Sequence, residues 1–144
     1  MEYDLRGWVD LGLPSGKLWC FDNEEGYFTF DEAVEKFQDQ LPTIEDWQEL
    51  IDNTTQRFDR RRKGLVLKAP NGKKLFLPHS GNIGYKNNLS DVNRFGYYWA
   101  FHCNVRGRVD SLWAFLSSGG IELYYNKDGW WSNRRFSVRL IKTK

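Results

Sequence analysis

Two apolar runs, Gly64-Leu65-Val66-Leu67-Lys68 and Lys74-Leu75-Phe76-Leu77-Pro78, flank Pro70-Asn71-Gly72. Asn-Gly between alternating apolar residues is the strongest short-range hairpin signal, so the middle of the chain must form antiparallel sheet in a well-specified register. Similar punctuation recurs on both sides. Trp8 to Leu13 and Lys17 to Phe21 flank Pro14-Ser15-Gly16, where Pro presets φ and Gly permits the reversal, which predicts a tight strand pair. Ser111 to Ser117 and Ile121 to Tyr125 flank Ser118-Gly119-Gly120, a third hairpin. Tyr97 to Phe101 has strand character, and Phe136 to Ile141 predicts a closing strand able to pair with the N-terminal one.

Helical spacing is confined to two short segments. Ala33, Val34 and Phe37 share a face over 31–38, with Asp31 or Thr29 able to cap. Thr43 is a natural cap for the second helix, Glu45 and Asp46 complement its N-terminal dipole, and Ile44, Trp47, Leu50 and Ile51 form its apolar stripe up to Asn53 and Thr54. Residues 79–96, rich in Gly, Asn and Ser, read as a long ordered loop. Strands, two helices and then mostly antiparallel strands define an α+β chain. With 144 residues it buries about 68–70% of its unfolded surface, enough for one core without a metal or disulfide.

Charge and composition exclude several functions. The net charge of +2 conceals fourteen acids against three bases in 1–53, and ten bases against two acids in 54–98. An acidic half in the same fold opposes a polyanion, and Arg60-Arg61-Arg62-Lys63 reads as a solvated turn, so nucleic acid is not expected as a partner. No run approaches the length of a membrane helix, so no membrane insertion is expected. The start, Met1-Glu2-Tyr3-Asp4, lacks the basic and apolar regions of a secretory signal, which leaves the localisation unknown. Cys20 and Cys103 have no metal spacing and read as separate buried thiols, with a disulfide the alternative.

Enzymatic signatures are missing: no phosphate-binding glycine loop, no nucleophile elbow and no zinc-binding H-E-x-x-H. His79 reads as a loop residue, and His102 beside Cys103 points to the opposite strand face. Glu32, Glu35, Glu45 and Glu49 read as solubilising helix acids rather than a glycosidase pair. No catalytic residue, metal or cofactor is expected. The informative segment is the hairpin from Ser111 to Tyr125. Leu112, Ala114 and Leu116 share one phase, extended by Ile121 and Leu123. If that phase is core, Trp113, Phe115 and Tyr124 stand outward. Tyr125, Trp130, Trp131 and Arg106, Arg108, Arg134 and Arg135 would then complete an aromatic and arginine recognition surface, with Trp8, Trp19, Trp47 and Trp99 supplying the core.

Blocks spread over nearly the whole chain add a resemblance. They are Trp8 to Gly16 with Leu18-Trp19; Leu41-Pro42-Thr43 with Glu45, Trp47 and Leu50-Ile51; Asn71-Gly72 with Phe76-Leu77-Pro78; Gly96-Tyr97-Tyr98-Trp99; Ser118-Gly119; and Phe136-Ser137-Val138-Arg139. In this order they resemble the Fibrobacter major paralogous domain family of gut Bacteroidota. The resemblance implies a single C-type-lectin-like domain over 1–144, related to formylglycine-generating enzymes and similar to the variable proteins of diversity-generating retroelements. It implies a variable ligand-binding segment over 99–135, with diversified positions at Trp113, Phe115, Ser117, Glu122, Tyr124 and Tyr125. Phe101, His102, Asn104, Arg106, Trp130 and Trp131 complete the candidate site. Where the family has Trp-Ser-Ser this chain has Trp99-Ala100-Phe101-His102, and Arg135 replaces the usual Gly before Phe136. The copper-binding cysteine pair of the enzymes and the calcium triplets of sugar-binding lectins are absent from the sequence. The expected partner is a protein or cell-surface glycan ligand, displayed at a cell surface or on a phage virion. The alternative is a structural or adhesive surface module that self-associates or joins an assembly without diversification.

Overall fold

The computed structural model describes residues 7–84, 86–103, 109–125 and 133–144, the side chains of 103, 109–111 and 125 excepted. Both helices start where a threonine can cap them. Thr29 opens α1 (Phe30–Phe37): its hydroxyl accepts from the Glu32 amide, and the Glu32 carboxylate accepts from the Thr29 amide. This box settles the choice between Thr29 and Asp31. Thr43 opens α2 (Ile44–Asp52) with the same reciprocal pair, Asp46 standing in for the usual Glu or Gln. α1 buries Ala33 and Phe37, and α2 buries Trp47 and Leu50.

The strands are β1 (Trp8–Val9), β2 (Leu18–Cys20), β3 (Thr55–Asp59), β4 (Gly64–Lys68), β5 (Lys74–Pro78), β6 (Asn82–Ile83), β7 (Leu89–Ser90), β8 (Gly96–Cys103), β9 (Val109–Ser117), β10 (Gly120–Tyr125) and β11 (Ile141–Lys142). They form open sheets ordered β1-β2-β11, β3-β4-β5 and β10-β9-β8, with β6-β7 as a two-stranded ribbon. Every pairing between these strands is antiparallel. The result is an α+β chain of two helices and mostly antiparallel strands.

The predicted central hairpin forms with Lys68 opposite Lys74 and Leu67 opposite Leu75. Its turn closes through the Gly72 amide on the Ala69 carbonyl at 2.9 Å, and Gly72 takes φ +86°, which a side chain would strain. Asn71 does more than turn the chain: its Nδ2 donates to the Asp10 carbonyl at 3.1 Å, tying the hairpin to the N-terminal segment.

Three expectations are corrected. β3 was not anticipated, because Thr55-Gln56-Arg57-Phe58-Asp59 carries one apolar residue and so lacks an apolar alternation. The long loop contains the β6-β7 ribbon. The closing strand also differs: Phe136 and Ser137 make isolated bridges to Phe28 and Tyr98, and only Ile141 and Lys142 pair with β2. Residues 136–140 are all buried, so they show no alternation of inside and outside. Arg139, 1% exposed, is held there by oxygens. Its guanidinium donates to the carbonyls of Cys20, Phe21 and Phe76 and to Asn23 Oδ1, at 2.8–3.2 Å.

Apolar clusters cover both faces of the β10-β9-β8 sheet. On one face Tyr98, Ala100, Leu112, Ala114 and Leu116 meet Trp47, Leu50, Trp19 and the inward leucines of β4 and β5. On the other, Tyr97, Trp99 and Trp113 meet Phe37, Leu41, Phe136, Val138 and Leu140. Trp19, Trp47 and Trp99 are core, as expected. Trp8 is only half-buried, with the Lys142 ammonium 4.5 Å from its ring centroid. Cys20 is a buried free thiol.

Candidate ligand-binding site

Register aligns the aromatic residues in rows across the β10-β9-β8 sheet. Trp99, Trp113 and Tyr124 lie side by side, as do Tyr97, Phe115 and Glu122. Directly opposed residues share a sheet face, so the aromatic phase read from the hairpin does form one surface, and the aliphatic phase, Leu112, Ala114 and Leu116, faces the larger core cluster.

The expectation that Trp113 stands outward is overturned. It is 8% exposed, because Phe136 packs 5.5 Å from it, Tyr97 stacks on it at 5.5 Å and Tyr124 stacks on it at 4.9 Å. Phe115 is half-buried between Phe95, at 5.0 Å, and Tyr97, at 5.3 Å. Ser117 is also half-buried, and its hydroxyl accepts the Gly119 amide at 3.2 Å, so it fastens the hairpin turn. Among the described side chains of β9 and β10 the exposed ones are Glu122 and Tyr124, the latter 39% exposed.

Tyr124 therefore sits on a stack whose lower members are fixed. Its ring lies 23° from parallel to Trp113, which lies 30° from parallel to Tyr97. The Tyr97 hydroxyl donates to Asp91 Oδ2 at 2.9 Å, and burial together with that carboxylate pushes the Tyr97 phenol well up. At the exposed end the Tyr124 hydroxyl donates to Glu122 Oε2, and this bond pushes the Tyr124 phenol up and sets the orientation of both groups. The arrangement offers a flat aromatic face beside a hydrogen-bonding carboxylate on a strand that does not need to be ordered.

Phe101 and His102 lie further along β8. The Phe101 amide donates to the Pro42 carbonyl at 3.2 Å, fastening β8 to the start of α2. Half-buried Phe101 lines a cleft of about 590 Å³ with Lys17, Thr43, Asp46 and Lys142 among its walls. Inside it the Lys17 ammonium and the nearly buried Asp46 carboxylate are 2.8 Å apart, and Asp46 also holds the Thr43 amide, so neither group is a spare acid or base. His102 Nδ1 lies 3.3 Å from Glu45 Oε1.

Asn104, Arg106, Trp130 and Trp131 lie outside the described residues, as does the side chain of Tyr125. Arg134 lies near enough to the aromatic row for its charge to act on Tyr97, and Arg134 and Arg135 also bond to the β6-β7 hairpin through Asn82 at 3.3 Å and Asn87 at 2.9 Å. Of the acids read as solubilising, Glu32 completes a helix cap, and Glu49 accepts both the amide and the hydroxyl of Ser15 at 2.9 and 2.7 Å. Asp91, Phe95 and Phe136, which support or cover the aromatic row, were not anticipated. The signal for Phe136 was present in the apolar alternation Phe136, Val138, Leu140. Among the described residues no three His, Cys, Asp or Glu side chains are grouped to hold a metal.

No family model, curated protein or solved structure matches this chain.

Proposed function

We propose that this chain is a ligand-binding display domain of C-type-lectin type, a variable protein of a diversity-generating retroelement that recognises a protein or cell-surface ligand without catalysing a reaction. The observation that carries the reading is the exposed Tyr124 ring, stacked on buried Trp113 and bonded to Glu122. Recognition surfaces favour aromatic groups held rigidly, since ordering each flexible side chain on binding costs about 0.5–1.5 kcal/mol. A fixed aromatic floor beneath a replaceable outer layer suits a domain whose contacts change while its scaffold does not. The ligand buries the Tyr124 face and exchanges hydrogen bonds with Glu122.

The second reading, a structural or adhesive surface module, is favoured by the burial of Trp113, which makes much of the aromatic row scaffold. Screening the domain against arrayed glycans and surface proteins, beside Tyr124→Ala and Glu122→Gln variants, separates the two. Display predicts hits that both variants weaken while all three proteins elute at the same size. Self-association of the wild type that Tyr124→Ala abolishes, with no hits, supports the module.

A further inference from the structure

We propose that the outward face of the β3-β4-β5 sheet is a second binding site, for a compact oxyanion of the phosphate or sulfate ester class, held by Arg57, Lys68 and Lys74. It is independent of the aromatic row, which lies on another sheet. Register places Thr55, Lys68 and Lys74 in one row, and Arg57, Val66 and Phe76 in the next. Directly opposed residues share a face, so all six belong to one surface. Thr55, Arg57, Lys68 and Lys74 are exposed, and with Val66 they line a depression of about 260 Å³.

Lys68 stands directly opposite Lys74, a like-charge pairing that weakens a sheet. Among the described residues no carboxylate lies within ion-pair distance of Arg57, Lys68 or Lys74. Asp59, on the same face, uses Oδ1 to accept the amides of Arg61 and Arg62 at 3.0 and 3.1 Å and acts on Arg57 only from beyond ion-pair distance, and Asp52 lines a neighbouring depression with Thr55 and Lys68.

The depression has an apolar floor, and Phe76 lies beside that floor in the same row. Val66 is 6% exposed despite its place on the outer face. Gly64 leaves room for the Phe76 ring, since a Cβ there would come within 2.6 Å of Phe76 Cζ, and the Arg62 guanidinium covers that ring at 3.7 Å. A planar guanidinium offers paired N–H donors to a tetrahedral oxyanion, and two ammonium groups supply point charges. Three cations over an apolar floor match a doubly charged group better than a single carboxylate.

The test is an amide NMR titration of the whole chain with inorganic phosphate and with sulfate, at ionic strength held constant with chloride. The expected result is saturable shifts centred on Thr55, Arg57, Lys68 and Lys74. Affinity should fall about tenfold or more in R57Q/K68Q/K74Q, the worth of at least one charge-assisted hydrogen bond. R60Q/R61Q/K63Q, which removes the same charge from the neighbouring turn, should bind as the wild type does. Tighter binding of galactose 6-sulfate than of glycerol 3-phosphate assigns the ester to a glycan, and the reverse assigns it to a lipid headgroup; either supports the site. Shifts that do not saturate, or an equal loss in both triple variants, would overturn it.

Discussion

Trp113 and Tyr124 face each other across β9 and β10 with ring centroids 4.9 Å apart and planes 23° from parallel, one ring buried and the other exposed. The pair divides a scaffold from a surface within a single contact. Trp113→Ala opens a hole beneath Phe136 and Tyr97 and should cost about 3–5 kcal/mol. Tyr124→Ala loses one stacked pair and should cost about 0.5–1.5 kcal/mol. Urea unfolding of the two variants measures the difference, and equal costs would contradict the division.

His79 should make the fold sensitive to acid. Its imidazole is 1% exposed and stacked on Phe58 at 5.3 Å, and neither ring nitrogen meets a partner in good hydrogen-bond geometry. Burial holds its pKa below the ordinary value, and the Arg94 backbone opposes this only in part. A folded pKa below the unfolded one means that the unfolded chain takes up the proton first. Stability is therefore fully present above about pH 6.5 and declines as pH falls below it. Urea midpoints from pH 7.5 down to 5 should fall in the wild type and fall less in His79→Leu. Parallel decline in both proteins would assign the acid sensitivity to other groups.

Arg139 should tolerate no shorter cation. It donates to four oxygens contributed by the end of β2, the segment that follows it and β5, so it ties the N-terminal sheet to the central hairpin. Lysine keeps the charge but cannot reach all four acceptors, and each buried carbonyl left without a donor costs about 1–3 kcal/mol. Arg139→Lys should lower the unfolding free energy by at least about 2 kcal/mol, measured in urea. A loss below about 0.5 kcal/mol would mean that water replaces the guanidinium.

Much of this architecture was legible in local chemistry. Pro70-Asn71-Gly72 fixes a hairpin, and Thr43 with Asp46 fixes a helix start, because turn and cap geometries depend on a few adjacent residues. Alternation also separated the two phases of β9 correctly. It could not tell that both are covered, since the cover for Trp113 comes from Phe136, more than twenty positions further on. β3 stayed hidden because its inward residues are Phe58 and Gln56, and Gln56 earns its place through a distant partner, accepting the Ile121 amide at 3.0 Å. The basic row of Arg57, Lys68 and Lys74 likewise exists only once three strands are in register.

The Thr43 cap offers a direct check on the frame beneath the cleft. Thr43→Ala removes the acceptor for the Asp46 amide and should cost about 1 kcal/mol, within the usual range for a lost cap. Thr43→Ser should restore most of it, and urea unfolding of both variants reads the difference. No recovery in the serine variant would assign the loss to the missing methyl group instead.

The display reading is tested most directly by sequencing the coding segment for residues 99–135 across a population of the source organism, together with the DNA around it. The account predicts a near-copy of that segment beside a reverse transcriptase gene. It also predicts replacements at adenine positions concentrated on the codons of Glu122 and Tyr124, with those of Leu112, Trp113, Ala114 and Leu116 unchanged. Replacements spread evenly over the buried and exposed codons, or an invariant segment with no template copy, would contradict it.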